Sequence, residues 1–163
     1  MTYWRPAYVG VGSNLGDPGA QVRAAIDRLA ALPTTRHLLR APLYRTAPFG
    51  PVAQAEFTNS AAGFLTSLDA HALLATLRAI ERELGREPAR VRWGPRMIDL
   101  DLLVLGRERI SDAQLTLPHP GIAERAFVLV PLAAIAPTLD VPGVGRVSSL
   151  LARLPAGGVE ALP

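Results

Sequence analysis

Arg92-Trp93-Gly94-Pro95-Arg96-Met97-Ile98-Asp99-Leu100-Asp101 is the stretch on which the reading of this chain turns, together with the apolar run that continues to Leu105. Met97 to Leu105 reads as a β-strand, because apolar residues fill it and no breaker interrupts it. Side chains alternate along a strand, so Asp99 and Asp101 share one face, with Cα atoms about 6.6–6.8 Å apart. The other face receives Ile98, Leu100, Leu102 and Val104 as a buried set. Two carboxylates at that spacing can reach one hard metal ion or a close pair of ions. Arg92 and Arg96, in the Gly-Pro loop just before, are of the type that grips phosphate oxygens. An Asp-x-Asp pair alone is commonly nothing more than the solvated face of a strand. Trp93 between two arginines has little structural rationale, and it tips the reading toward polyphosphate chemistry.

Outward from this strand the chain punctuates itself clearly. A helix is expected over 70–84, with Asp69 as its cap, Gly85 just past its end, and Leu73, Leu77, Ile80 and Leu84 facing the core. Glu81 and Glu83 stand against the dipole of that helix, which suggests that one of them serves a ligand. Ala7 to Ser13 reads as the first strand. Asp17-Pro18 then starts a helix with an apolar stripe of Val22, Ile26, Leu29 and Leu32. Residues 36–46 suggest a second strand and Phe57 to Thr66 a third, joined by a Pro- and Gly-containing loop over 47–56. After Gly106 come a hairpin-like excursion (107–117), a short helical segment around 122–125 and an apolar helix from Phe127 to Ile135. A tail with a turn at 141–145 and a short helix near 147–154 reads as packing. The order strand, helix, strand, strand, helix, strand predicts an α+β fold. It is the ferredoxin-like split βαβ pattern, an antiparallel sheet flanked by helices, with extra C-terminal elements.

Composition narrows the chemistry. The 163 residues form a single domain, 1–163, by length, with 49% hydrophobic and 19% charged residues. The absence of cysteine excludes thiol nucleophiles and zinc-thiolate sites. All 17 basic residues are arginine, so there is no P-loop lysine, Schiff base or lysine general base. No apolar stretch is long enough for a membrane span and the N-terminus lacks a signal pattern, so a cytoplasmic location is expected. Gly10-Val11-Gly12-Ser13-Asn14-Leu15-Gly16 superficially suggests a dinucleotide fingerprint. Its third glycine is one place late, and no acidic residue follows a second parallel strand.

Taken together, Gly12-Ser-Asn-Leu15, Tyr44-Arg-Thr46, Phe57-x-Asn59, Leu84-Gly-Arg86, Arg92-Trp-Gly-Pro-Arg-x-Ile-Asp-Leu-Asp101 and Leu117-Pro-His119 with Arg125-x-Phe127 resemble one family. It is 6-hydroxymethyl-7,8-dihydropterin pyrophosphokinase of folate biosynthesis, and the resemblance runs from about residue 7 to residue 140 in order. It implies transfer of pyrophosphate from ATP, the co-substrate, to a pterin hydroxymethyl group. It further implies that Asp99 and Asp101 hold two Mg²⁺ ions and that Arg86 and Arg96 grip the transferring group. Arg92, Trp93, His119 and Arg125 would contact ATP, with Glu81, Leu102 and Thr116 helping to seat it. The pterin would lie between Phe127 and either Phe49 or Trp93, near Ala47 and Phe57, with Thr46 and Asn59 reading its polar edge.

The chain departs from relatives at Pro88, where many carry a second arginine, at Pro120, and at Phe57, which lacks a tyrosine hydroxyl. An RNA-binding module is the rival that shares the fold. It needs aromatics on its central strands, where this chain has Asp99 and Asp101 and only 6% aromatic residues overall. Nucleic acid and membrane are therefore not expected as partners, and a monomer is. A nucleotidyltransferase would also use paired aspartates, but would leave AMP on its acceptor.

Overall fold

The computed structural model describes residues 1–47, 51, 53–85 and 97–163. The expected sites Phe49, Arg86, Arg92, Trp93 and Arg96 lie outside the described residues, as do Pro88 and Arg90.

β1 (Arg5–Ser13) buries Ala7, Val9 and Val11 on one face. Asp17 then caps α1 (Pro18–Ala30), its Oδ1 accepting from the Ala20 amide at 3.2 Å, and Pro18 supplies a φ already suited to the first turn. The strand expected over 36–46 is in fact two, β2 (Thr35–Arg40) and β3 (Tyr44–Thr46). Pro42 separates them because it has no N–H to give a ladder. The Ser60 hydroxyl donates to the Ala41 and Pro42 carbonyls at 3.1 and 3.0 Å and so satisfies the break. β4 (Phe57–Thr66) has the expected limits. α2 (Ala70–Glu83) is capped by Asp69, which accepts from the Ala72 amide at 2.8 Å, and it is closed by Gly85 at φ +90°.

β5 (Asp99–Leu105) carries the two aspartates and begins two residues later than expected. β6 (Ile110–Ser111) and β7 (Thr116–Leu117) form the anticipated hairpin. The helical segment expected at 122–125 is instead a run of tight turns, with Ile122 N–H donating to His119 O and Glu124 N–H to Gly121 O. Pro120 and Gly121 favour that outcome. α3 (Ala126–Ile135), the β8 (Asp140–Val141) and β9 (Gly145–Arg146) hairpin, and α4 (Val147–Ala152) follow. The tail is more than packing. Its β10 (Val159–Ala161) pairs with β3, and Leu162 N–H reaches Leu43 O at 2.9 Å.

Among the described residues the main sheet has six strands, ordered β10-β3-β4-β1-β5 with β2 also on β4, every pair antiparallel. This is the ferredoxin-like α+β arrangement, extended at one edge. α1 and α2 cover one face over a core of Val9, Val11, Ile26, Leu29, Leu73 and Leu77. α3 and α4 cover part of the other, over Leu103, Val104, Leu129, Leu132 and Val147.

One expectation fails in an instructive way. Val104 does not share a face with Leu100 and Leu102, because the pairing of β1 with β5 slips between Tyr8 and Val9. That bulge leaves one extra residue on β5, so Leu103 and Val104 both pack under α3 and α4 while Leu105 returns to the first core. The slip occurs beyond Asp101, so the aspartates keep their common face.

Candidate active site

The face of the sheet opposite α1 and α2 carries a cleft between the N-terminal end of α3 and the middle of β1, β4 and β5. Its floor is built by register. Gly12 pairs with Asn59 on one side and with Asp99 on the other; Gly10 stands between Ala61 and Asp101. Glycine inside a strand marks close approach of something other than a side chain. At Gly12 a Cβ would stand 2.4 Å from Asn59 Oδ1, so the bare backbone is what lets the Asn59 amide lie across the sheet. Asn59 Nδ2 donates to Thr46 Oγ1 at 2.7 Å, both groups being buried. Thr46, Ala47, Phe57, Asn59, Asp99, Asp101, Arg125 and Phe127, all named from sequence, line this one cleft.

The two carboxylates repel each other. Burial, then the charge of Asp99, pushes the Asp101 carboxyl up from its usual 3.8 to about 7; Arg78 and Arg125 pull it down and Glu81 adds to the rise. Oxygen ligands of this kind suit a hard dication. Asp99 and Asp101 would hold it; no cluster of three or more metal-ligating acidic or imidazole groups occurs among the described residues, so phosphate and water oxygens would complete the shell.

His119 sits beside β5, its N–H donating to Leu103 O at 2.9 Å. Burial, reinforced by the Arg125 charge, lowers its pKa to about 4 against a weaker opposing pull from Asp99, so the ring is neutral. Nδ1 accepts from the Gly121 amide at 3.1 Å, which leaves Nε2 as the protonated nitrogen, a donor. Arg125 lies over the Phe127 ring, 5.9 Å from its centroid. A Cβ at Gly121 would stand 2.5 Å from Arg125 Nε, so a larger residue there would push the guanidinium aside.

Three residues expected at the nucleotide are placed differently from one another. Thr116 is exposed on β7. Leu102 points its side chain into the α1–α2 core, 3% exposed, away from the cleft, because it pairs with Val9 on the buried face; only its backbone is left for a ligand. Glu81 is 2% exposed and faces the protein: Oε2 accepts from the Leu100 amide at 2.9 Å and Oε1 from Arg78 Nη1 at 2.8 Å. Sequence reasoning assigned no function to Gly10, Gly12 or Arg78. The signal for the glycines was present, two of them at alternate positions inside a strand. Ser13 and Asn14, seen only as part of a motif, tie the site's margins. Ser13 Oγ donates to Met97 O, and Asn14 Nδ2 donates to Gln54 Oε1 and Ala55 O at 2.8 and 3.0 Å.

The sequence matches the model of the 7,8-dihydro-6-hydroxymethylpterin-pyrophosphokinase (HPPK) family over residues 8–137. The 2-amino-4-hydroxy-6-hydroxymethyldihydropteridine pyrophosphokinase of Methylorubrum extorquens is 47% identical over 154 residues, which cover 94% of this chain and 96% of that one. The enzyme of the same name from Pseudomonas aeruginosa is 44% identical over 156 residues, 96% of each chain. The crystal structure of Plasmodium falciparum HPPK-DHPS with pteroate matches with a TM-score of 0.72 over 94% of this chain. This chain spans only 43% of that longer one, and the 13% identity makes it a likeness of fold alone. Family match, relatives spanning nearly the whole chain and fold all agree: the chain belongs to the 7,8-dihydro-6-hydroxymethylpterin-pyrophosphokinase family, the pyrophosphokinases of folate biosynthesis.

Proposed function

We propose that this chain moves the β,γ-diphosphoryl group of ATP onto the hydroxymethyl oxygen of 6-hydroxymethyl-7,8-dihydropterin, with Asp99 and Asp101 holding two Mg²⁺ ions. The observation that carries the reading is the row Asn59–Gly12–Asp99, which sets a reader of polar ring edges and a phosphate-side carboxylate in one cleft, two strands apart. Phe127 offers a ring face to the flat heterocycle, opposite Phe49 or Trp93. Asn59 gives an N–H to Thr46, so its Oδ1 accepts from ring N–H groups while the Thr46 hydroxyl hydrogen serves a ring acceptor.

Bound magnesium supplies positive charge that screens the phosphates from the incoming oxygen. Arg125 and the neutral His119, as an Nε2–H donor, hold the nucleotide beside the carboxylates, Thr116 and the Leu102 backbone line its edge, and Arg92 adds a further contact. Arg86 and Arg96 grip the group in transit. The hydroxymethyl oxygen attacks the β-phosphorus, the bond from that phosphorus to the α–β bridging oxygen breaks, AMP departs with the bridging oxygen, and the hydroxyl proton is released. Positioning and electrostatics carry such a transfer. The chain acts as one catalytic domain, 1–163, and as a monomer in the cytoplasm. No helix among the described residues is long and apolar enough to cross a membrane.

Product analysis tests this directly. Incubation with Mg²⁺, ATP and the reduced pterin should give free AMP and a pterin diphosphate. Pyrophosphate release with AMP left on the pterin would mean nucleotidyl transfer instead.

A further inference from the structure

The residue between the two aspartates is clamped from outside the sheet. Among the described residues β5 is an edge strand of the main sheet, and an edge leaves backbone groups in want of partners. Leu100 finds both of its partners on α2. Its N–H donates to Glu81 Oε2 at 2.9 Å, its carbonyl accepts from Arg78 Nη1 at 3.1 Å, and the same Nη1 donates to Glu81 Oε1 at 2.8 Å. An ion pair thus replaces the missing neighbour strand at a single residue. Burying a carboxylate is unfavourable unless it is paired and hydrogen-bonded, and Glu81 is both. Docking α2 onto the sheet does not require this device, since Leu73, Leu77 and Ile80 already bury that face of the helix. What the device determines is the orientation of the peptides on either side of Leu100, and through strand alternation the direction of Asp99 and Asp101.

We propose that Arg78 and Glu81 are positioning residues for diphosphoryl transfer, a clamp on Leu100 that makes the Asp99 and Asp101 carboxylates converge on magnesium. The inference rests on reading those two aspartates as the metal ligands. Groups that orient ligands from behind are worth about 10–100-fold in metal affinity or activity. Arg78 is the informative position, because it lies on α2 and can be changed while Asp99, Leu100 and Asp101 keep their identities, and pairing its loss with Glu81→Gln removes one charge of each sign.

The test titrates Mn²⁺ into the full chain with α,β-methylene-ATP and follows bound metal by electron paramagnetic resonance, alongside steady-state kinetics and thermal melts. Arg78→Met should weaken Mn²⁺ binding and lower kcat by about tenfold each, with the pterin KM within about twofold of the parent. Arg78→Lys, which can still donate to one of the two oxygens, should fall between them. Arg78→Met strands the Glu81 charge and will melt early, so the double variant Arg78→Met/Glu81→Gln separates folding from positioning. It should recover the melting temperature and keep the metal defect. A double variant with parental Mn²⁺ affinity and kcat, or a defect confined to pterin KM, would overturn the clamp. Asp101→Asn is the reference: if it too binds Mn²⁺ as the parent does, the metal reading itself fails and the clamp with it.

Discussion

Acidifying the protein through neutrality should release a divalent ion from the proposed Asp99–Asp101 site, because Asp101 takes up a proton there. Burial and the neighbouring Asp99 hold that carboxyl near 7 where a free aspartate would titrate at 3.8. The native state therefore binds a proton on Asp101 over the interval between those values, and a metal ion held there must displace it. For one competing proton the apparent dissociation constant scales as one plus ten to the power of pKa minus pH. Between pH 8 and pH 6 that amounts to roughly a tenfold loss of affinity; an ordinary aspartate would give none. Metal-free stability carries the complementary sign. A carboxyl whose folded pKa is raised contributes stability that is fully present below 3.8 and lost as pH rises through about 7. The melting temperature of the metal-free parent, measured against Asp101→Asn to cancel other groups, should thus fall from pH 6 to pH 8, and divalent ions should restore it. Mn²⁺ titration of the nucleotide-free chain at pH 6, 7 and 8, in buffers of different ionisation enthalpy, reads both affinity and the proton released. Arg125→Gln should move the inflection to higher pH, since Arg125 now lowers the Asp101 pKa. Affinities within twofold across that range, with no proton release, would refute the electrostatic reasoning.

Three further outcomes are expected. Asp99→Asn should cut transfer by orders of magnitude in product assays while the metal-free protein melts no lower than the parent, because a like charge beside Asp101 has gone. Gly12→Ala puts a methyl group 2.4 Å from Asn59 Oδ1, so it should destabilise the fold by about 1–3 kcal/mol and raise the pterin KM while Mn²⁺ binding holds. Gly121→Ala crowds Arg125 at 2.5 Å; a rise in the ATP KM with stability changed by about 0.5 kcal/mol or less is the result to look for.

What the sequence made legible is local, and what it hid depends on distant partners. β4 and α2 fall where patterning puts them because Asp69, Gly85 and the apolar stripe act within a turn or two of chain. The aspartates' common face follows from alternation alone. The bulge at Leu103 could not be read, since it is a mismatch between β5 and a strand more than 90 positions earlier, and it moves Val104 to the other core. β10 is three residues long and offers no periodicity to detect. Glu81 drew attention for the right reason, an acidic group at the wrong end of a helix. Yet its partner is a backbone amide 19 residues away, and only the fold brings the two together. Arg78 gave no signal at all, being one of 17 arginines.

The Asn59–Gly12–Asp99 row makes the sheet a ruler. On the proposed reading ring recognition is on β4 and phosphate recognition on β5, with Gly12 between them, so the backbone span from Asn59 to Asp99 is two interstrand spacings, about 10 Å. Backbone hydrogen bonds fix that length, and no rotamer change can stretch it. Selectivity for the arm joining ring and hydroxyl is then built into the ladder rather than into any pocket wall. A pterin with one more methylene would carry its nucleophile about 1 Å or more past the phosphorus, a displacement of the size that costs about 100-fold in rate, even with every side-chain contact to the ring intact.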